Sequence, residues 1–191
     1  MFFDIGIGII ISIFISWRFG IEPSFSFFLL GVSFAMIPDI DFILHLIKTK
    51  FKDTSHEHRE ILHYPILFFG LGLPLLLFIG VQKEIIWLFV LGVSWHFIND
   101  TTTIGYGIQW LWPFSNKYLS MFNFHNTPNK PKLPFRLFNI WSPKEVDDIA
   151  KKYGDPDWIK NIYFKFSPLA IVEYSVFFIS LVILYLYLFV L

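Results

Sequence analysis

Long runs of apolar residues, separated by short polar stretches, dominate the chain. A helix that crosses a bilayer needs about 20 mostly apolar residues, and five stretches approach this length, at 2–19, 23–38, 61–81, 85–98 and 169–191. Residues 115–168, before the last stretch, are more polar. The pattern predicts an all-α, multi-pass transmembrane bundle of about five membrane helices, with short interfacial helices in 115–168.

Local start and stop signals support the short helices. Ser142, Pro143 and Glu145 place a hydroxyl at an N-cap, a proline at the first helical position and a glutamate three residues after the cap. Gly154 predicts the end of this helix, through a positive φ. A second short helix is expected to carry Trp158. Both helices are expected to lie along the lipid headgroups.

Composition agrees with a membrane protein. Apolar residues make up 55% of the chain and charged residues 16%, whereas soluble domains carry about 25% charged residues. The formal net charge is zero, so no overall field would attract nucleic acid, and no nucleic-acid partner is expected. The absence of cysteine excludes disulfides and thiolate metal sites.

The distribution of Lys and Arg predicts the orientation. Cytoplasmic loops of membrane proteins carry an excess of these residues. In the five-helix topology thirteen of the fifteen lie on the side of the N-terminus and of segments 39–60 and 115–168, and only Arg18 and Lys83 lie on the other. We therefore expect a multi-pass protein of the cell (inner or plasma) membrane, with a cytoplasmic N-terminus.

Acidic and histidine residues collect at the cytoplasmic ends of the first four predicted helices. Ionisable groups at membrane depth are costly and usually functional. His96 and Asp100 are four residues apart on a predicted helix, so both can hold one ion. Pro38 ends the second helix and leaves two carboxylates on a turn. The full set of candidates is Asp4, Asp39, Asp41, His58, His63, His96 and Asp100.

This donor set predicts a divalent metal site on the cytoplasmic side. Nitrogen and oxygen ligands without sulfur suit Zn²⁺, Mn²⁺ or Fe²⁺ better than copper, and more than four candidate ligands indicate two or more ions. Residues 1–114 would form the metal-site core of one integral-membrane domain over 1–191, followed by the cytoplasmic or interfacial segment 115–168 and the helix 169–191. For Asp4, a simple helix cap is the competing interpretation.

Several linked motifs resemble a known family. They are Pro38-Asp39-Ile40-Asp41, His58-Arg59-x-x-x-His63, His96-x-x-x-Asp100-x-x-Thr103-x-Gly105 and Leu111-Trp112-Pro113-Phe114-Ser115. In this order they are similar to those of the membrane-bound metal-dependent hydrolases, also described as LexA-binding, inner-membrane-associated hydrolases. That family is distantly similar to the zinc-dependent phospholipase C and nuclease superfamily. The family commonly has a histidine near its N-terminus, where this chain has Asp4.

The resemblance implies that the six Asp and His residues from Asp39 to Asp100 in these motifs are metal ligands and that Arg59 clamps a phosphate or carboxylate. It also implies zinc as the metal. The expected function is a membrane-embedded hydrolase, in which metal-activated water attacks an ester or phosphodiester of a lipid-like substrate such as a phospholipid or a polyprenyl phosphate. The alternatives are a non-catalytic metal-binding adaptor that docks a cytosolic partner and, less favoured, an ion carrier.

Overall fold

The structure is a computed structural model that describes residues 1–22, 24–41, 62–102, 106–122, 135–155 and 157–190. The predicted site residues His58 and Arg59 lie outside these ranges. The chain divides into two compact units. The first contains Met1–Pro38, Leu71–His96 and Ile159–Leu191, and the second contains Asp39–Gly70 and Phe97–Trp158.

The first two apolar stretches form helices at the predicted positions. Helix α1 spans Phe2–Phe19, and helix α2 spans Phe25–Met36. The Ser24 hydroxyl caps α2 by accepting from the backbone N–H of Phe27. The two helices approach closely at Gly8, where a Cβ would lie 2.8 Å from the Cα of Val32. A short 3₁₀ turn, Ile37–Asp39, continues α2.

Helix α3 spans Pro65–Phe78 and begins four residues later than the pattern predicted. Proline is suited to the first helical position, whereas the residue before it is pushed towards extended backbone, and Tyr64 is extended there. A π-helical turn, Phe68–Gly72, interrupts α3 just before Pro74. Pro74 cannot donate a backbone hydrogen bond to the preceding turn, which accounts for the local irregularity.

Helix α4 spans Lys83–Thr102 and extends past the predicted end at residue 98. The additional turn contains Asp100, so His96 and Asp100 lie on one continuous helix, as predicted. The hydroxyls of Thr101 and Thr102 donate to the carbonyls of the residues four positions earlier. These bonds satisfy polar groups at the end of the helix.

The expected all-α class is wrong in the segment after α4. Strand β1, Tyr118–Met121, pairs antiparallel with β2, Phe138–Trp141. Leu119 lies opposite Ile140, and Ser120 lies opposite Asn139. Each strand has only four residues, and the pairing joins positions about 20 residues apart, so no local helix or strand period was long enough to predict it.

Helix α5, Pro143–Tyr153, confirms the predicted capping box. The Glu145 N–H donates to the Ser142 hydroxyl, and the Ser142 N–H donates to the Glu145 carboxylate at 2.7 Å. Gly154 ends the helix, but the predicted positive φ is wrong because its φ is −62°. Glycine is needed there for space instead, since a Cβ would collide with the Ala150 carbonyl.

Helix α6, Pro168–Phe189, packs against α1. A Cβ at Gly6 would lie 3.1 Å from the Cα of Phe177, so this contact also depends on a small residue. Within the described ranges, α1 and α6 are the two helices that are long and apolar enough to cross a membrane, while Phe25–Asp39 and Pro65–Phe78 are shorter apolar helices. The five-helix membrane topology therefore stays a prediction.

Candidate metal centre

Two predicted ligands follow α2 directly. Asp39 is the last residue of the 3₁₀ turn that contains Pro38, and Asp41 comes two residues later. The side chain of Asp41 is buried, whereas 19% of the Asp39 side chain is exposed. The proline-containing turn therefore presents one covered and one accessible carboxylate.

His63 lies just before α3 rather than in its first turns, where the sequence had placed it. The Pro65 start keeps Tyr64 extended, so His63 belongs to the connecting backbone. Its Nδ1 atom lies 3.2 Å from the Asp41 Oδ2, and the Leu62 N–H donates to the same oxygen at 3.0 Å. Asp41 therefore fixes both the backbone and the ring orientation at this position.

The other ring nitrogen of His63 faces two more carboxylates. Its Nε2 atom lies 3.1 Å from the Asp100 Oδ2 and 3.6 Å from the Asp39 Oδ1. When Nδ1–H donates to Asp41, a neutral ring presents only a lone pair at Nε2. A lone pair and carboxylate oxygens at these distances need a proton or a cation between them.

The charge around His63 is reflected in its pKa. Burial lowers the pKa of the imidazole, but hydrogen bonds with Asp100, Asp39 and Asp41 outweigh that effect and raise the pKa well above 6.5. The carboxylates therefore stabilise a positive charge at the Nε2 position. A divalent cation can supply this charge in place of the proton.

Trp112 of the fourth motif and Trp110, just before it, contact residues at the start of α3 and the end of α4. The Trp112 ring stacks on Tyr64, with ring centroids 4.4 Å apart and planes inclined by 15°. The indole N–H of Trp110 donates to the Thr101 hydroxyl at 2.9 Å. Neither contact was predicted from the sequence, although the position of Trp112 in the Leu-Trp-Pro-Phe-Ser motif was a usable signal.

His96 and Asp4 meet in the first unit. The His96 Nδ1–H donates to the Ala35 carbonyl at 2.9 Å, and the Asp4 Oδ1 lies 3.7 Å from the same nitrogen. Both side chains are buried. Histidine ligands of metals commonly donate their other ring N–H in this way, so Nε2 would be the nitrogen that binds an ion if His96 is a ligand. Asp4 is therefore placed beside the donating side of the imidazole, and its predicted role as a ligand stays a prediction.

The first unit also contains a buried carboxylate outside the predicted set of metal ligands. Glu173, in α6, accepts from the Tyr163 hydroxyl at 3.0 Å and from the backbone N–H of Phe3 at 3.5 Å. The interaction joins the start of α1 to α6. Its position in the first turns of an apolar helix was the only signal in the sequence.

The residues present fit a divalent cation. Within the second unit, Asp39 and Asp100 each place a carboxylate oxygen beside the Nε2 atom of His63, and the role of His96 as a further ligand stays a prediction. Ligand atoms 2.0–2.2 Å from one Zn²⁺ lie roughly 3–3.5 Å apart, close to the separations around the His63 Nε2. Nitrogen and oxygen donors of this kind suit zinc, manganese or iron, so neither the metal nor the number of ions follows from the donors.

Comparisons with known proteins identify a family for this chain but no individual relative. No curated protein and no solved structure matches the chain. A family model described as YdjM inner membrane protein matches residues 4–190. This confirms the expected membrane-associated family, while the relation to the zinc-dependent phospholipase C superfamily stays a prediction. The chain belongs to the YdjM inner membrane protein family.

Proposed function

We propose that the protein is a membrane-embedded, metal-dependent hydrolase that cleaves an ester or phosphodiester of a lipid-like substrate at the cytoplasmic face of the membrane. The observation that carries the proposal is the environment of His63. One buried imidazole has a carboxylate at Nδ1 and two carboxylates at Nε2. Membership of an inner membrane protein family supports the location.

Each residue in this arrangement has a distinct proposed role. Asp39, Asp100 and the Nε2 of His63 hold the ion, and Asp41 orients the imidazole through Nδ1. His96, one helical turn before Asp100 on α4, is the sequence-predicted candidate for a second imidazole ligand. A divalent ion supplies catalysis by lowering the pKa of water to about 7 and by offsetting negative charge on a phosphoryl group.

The exposure of the ligands favours catalysis over a purely structural role. Structural zinc sites are closed, whereas catalytic sites keep one position open. The His63 side chain is 1% exposed, but those of Asp39 and Asp100 are 19% and 13% exposed. A substrate can therefore approach from the carboxylate side while the imidazole remains covered.

The substrate class follows from location and charge. In a membrane protein, a centre near the headgroups favours an amphiphilic substrate such as a phospholipid or a polyprenyl phosphate. Arg59, which lies outside the described residues, would hold the phosphate by a bidentate contact. Its guanidinium has the planar geometry that such a contact needs.

Metal analysis of the purified, detergent-solubilised protein tests the first part of the proposal. We expect stoichiometric divalent metal in the unmodified protein and its loss in the double variant His96→Ala, Asp100→Ala. The variant Asp148→Ala changes an exposed carboxylate of α5 and is the control, which should retain the metal. An unmodified protein that binds no divalent metal would contradict the proposal.

A fluorogenic phosphodiester screen tests catalysis. Activity in the unmodified protein that is lost in His63→Ala, with the fold retained, would support a hydrolase. Full metal occupancy without activity towards any ester or phosphodiester would favour the non-catalytic adaptor instead, in which the metal centre has only a structural role and a cytosolic protein docks on the chain.

A further inference from the structure

The hairpin of β1 and β2 has its polar and apolar faces reversed relative to a water-soluble protein. Side chains on alternate positions of a strand point to opposite faces. Ser120 and Asn139, which pair across the strands, are buried, with 1% and 4% of their surface exposed. On the other face Phe138 and Ile140 are 57% and 64% exposed.

The outward face is apolar at every paired position. Leu119 pairs with Ile140, and Met121 pairs with Phe138, so these four side chains form one continuous apolar strip on the hairpin. Phe135 and Leu137, just before β2, are also 68% and 51% exposed. Scattered apolar residues are normal on a surface, but a contiguous patch of this kind marks an interaction site.

Charge distinguishes between possible occupants of the strip. The described ranges 106–122 and 135–141 contain no acidic residue, whereas Lys117 and Arg136 are exposed and precede β1 and β2 by one and two positions. Cations beside exposed aromatic and aliphatic side chains are the combination that binds the interfacial region of an anionic membrane. The family's location in the inner membrane provides such a surface.

We propose that the outer face of the β1–β2 hairpin inserts into the headgroup region of the bilayer. Phe138, Ile140 and their neighbours on the strip contact the upper acyl chains, and Lys117 and Arg136 contact lipid phosphates. The 115–168 segment is thereby attached to the membrane through a strand face in addition to any helix. This proposal does not depend on the metal centre. The hairpin proposal and the hydrolase proposal can therefore fail independently of each other.

The cysteine-free chain allows a direct test with single-cysteine variants of the full-length protein. Phe138→Cys and Ile140→Cys would each be labelled with an environment-sensitive NBD fluorophore. The labelled proteins would be reconstituted in vesicles of phosphatidylcholine and phosphatidylglycerol. Asp148→Cys, on the exposed polar side of α5, is the matched control. Two quenchers would be compared, a nitroxide near the headgroup of the lipid and iodide in the water.

We expect a blue-shifted emission and loss of most of the intensity with the lipid nitroxide at positions 138 and 140. At position 148 iodide should quench and the lipid nitroxide should not. Equal access of iodide to all three positions would overturn the proposal. Protection from both quenchers at 138 and 140 would also overturn it, because that result means that another protein surface covers the strip.

A second measurement needs no substitution. Unmodified protein in vesicles that contain a lipid with a diazirine near its headgroup would be irradiated, and the modified peptides mapped by mass spectrometry. We expect adducts within residues 135–141, with α6 as the positive control. Labelling of α6 without adducts in 135–141 would overturn the proposal.

Discussion

At the scale of single residues, the two sides of the His63 ring distinguish carboxylates that the sequence could not tell apart. Asp41 contacts Nδ1, whereas Asp39 and Asp100 face Nε2. The sequence predicted all three as equivalent ligands from motif position. The orientation of the ring depends on the start of α3 at Pro65 and on a contact with α4, which is distant in sequence, so motif spacing alone could not give it.

The geometry predicts different results for two isosteric substitutions. Asp41→Asn should keep the metal but weaken its binding by about 10- to 100-fold, the usual effect of losing a partner that orients a metal-binding histidine. Asp100→Asn removes a proposed ligand and should leave the purified protein depleted of metal. Competition titration with a chelating dye measures the first effect, and elemental analysis the second.

Asp148→Asn serves as the control for both variants because it changes the same functional group at an exposed position of α5. An affinity of Asp41→Asn equal to that of this control would show that Asp41 does not orient the ring. Equal loss of metal in the Asp41 and Asp100 variants would instead make Asp41 a direct ligand.

At the scale of elements, ends with local chemical signals were predictable and irregular elements were not. The Ser142 and Glu145 box predicted the start of α5 correctly, because both of its hydrogen bonds involve residues three positions apart. The π-helical turn in α3 and the β-hairpin have no comparable signal. Both depend on interactions that a short sequence window does not contain.

The capping box of α5 should make this helix end sensitive to acid. Hydrogen bonds from the Ser142 backbone and hydroxyl hold the pKa of Glu145 below its ordinary value. The stabilisation is therefore present above the ordinary pKa of about 4.5 and is lost as the pH falls through the lowered value. Hydrogen exchange of the first α5 amides, corrected for intrinsic rates, should show this loss of protection.

Glu145→Gln is the matched variant because it keeps the size of the side chain and removes its charge. It should show weaker protection at neutral pH and no change across the acidic range. A variant that follows the same acid profile as the unmodified protein would mean that another group controls the helix end.

Differences in local packing predict different effects for two glycine substitutions. In Gly8→Ala the new Cβ would lie 2.8 Å from the backbone of Val32, so α1 and α2 must move apart. Overpacking of this kind costs about 1–3 kcal/mol. Gly70→Ala meets only ordinary contact, at 3.6 Å from Ile66, and should be neutral or slightly stabilising because alanine favours helix. Thermal unfolding in detergent compares them, and equal melting temperatures would contradict the packing argument.

At the scale of the whole molecule, the sequence predicted the membrane family and the grouping of charged residues better than the architecture. Ionisable residues at the ends of apolar helices are costly and were predicted to group together, and the carboxylates of Asp39, Asp41 and Asp100 do collect around the His63 imidazole. The length of an apolar stretch alone does not distinguish a helix that crosses a membrane from one that is buried inside the protein. The pattern therefore predicted five crossings, where α1 and α6 alone meet the length and hydropathy expected of one in the described ranges.

Metal removal should destabilise the protein if Asp39, His63 and Asp100 share an ion. Without the metal, three carboxylates surround one imidazole, and their negative charges repel one another. A ligand present at 1,000 times its Kd stabilises the folded state by about 4 kcal/mol, so loss of the metal should remove a contribution of this size. We expect chelation to lower the melting temperature and readdition of zinc to restore it. The double variant His96→Ala, Asp100→Ala should melt at the same temperature with and without chelator. If the unmodified protein melts at the same temperature with and without chelator, Asp39, His63 and Asp100 do not share an ion.

The stacking of Trp112 on Tyr64 has a practical consequence. Tyr64 is covalently next to His63, and the centroids of the Tyr64 and Trp112 rings lie 4.4 Å apart, so a movement of His63 that displaces Tyr64 would change the surroundings of the indole. Indole emission therefore offers a natural optical reporter of the centre, without an attached dye. Subtracting the emission spectrum of the Trp112→Phe variant would separate this signal from that of the other tryptophans. Metal binding at the proposed centre could then be followed in real time.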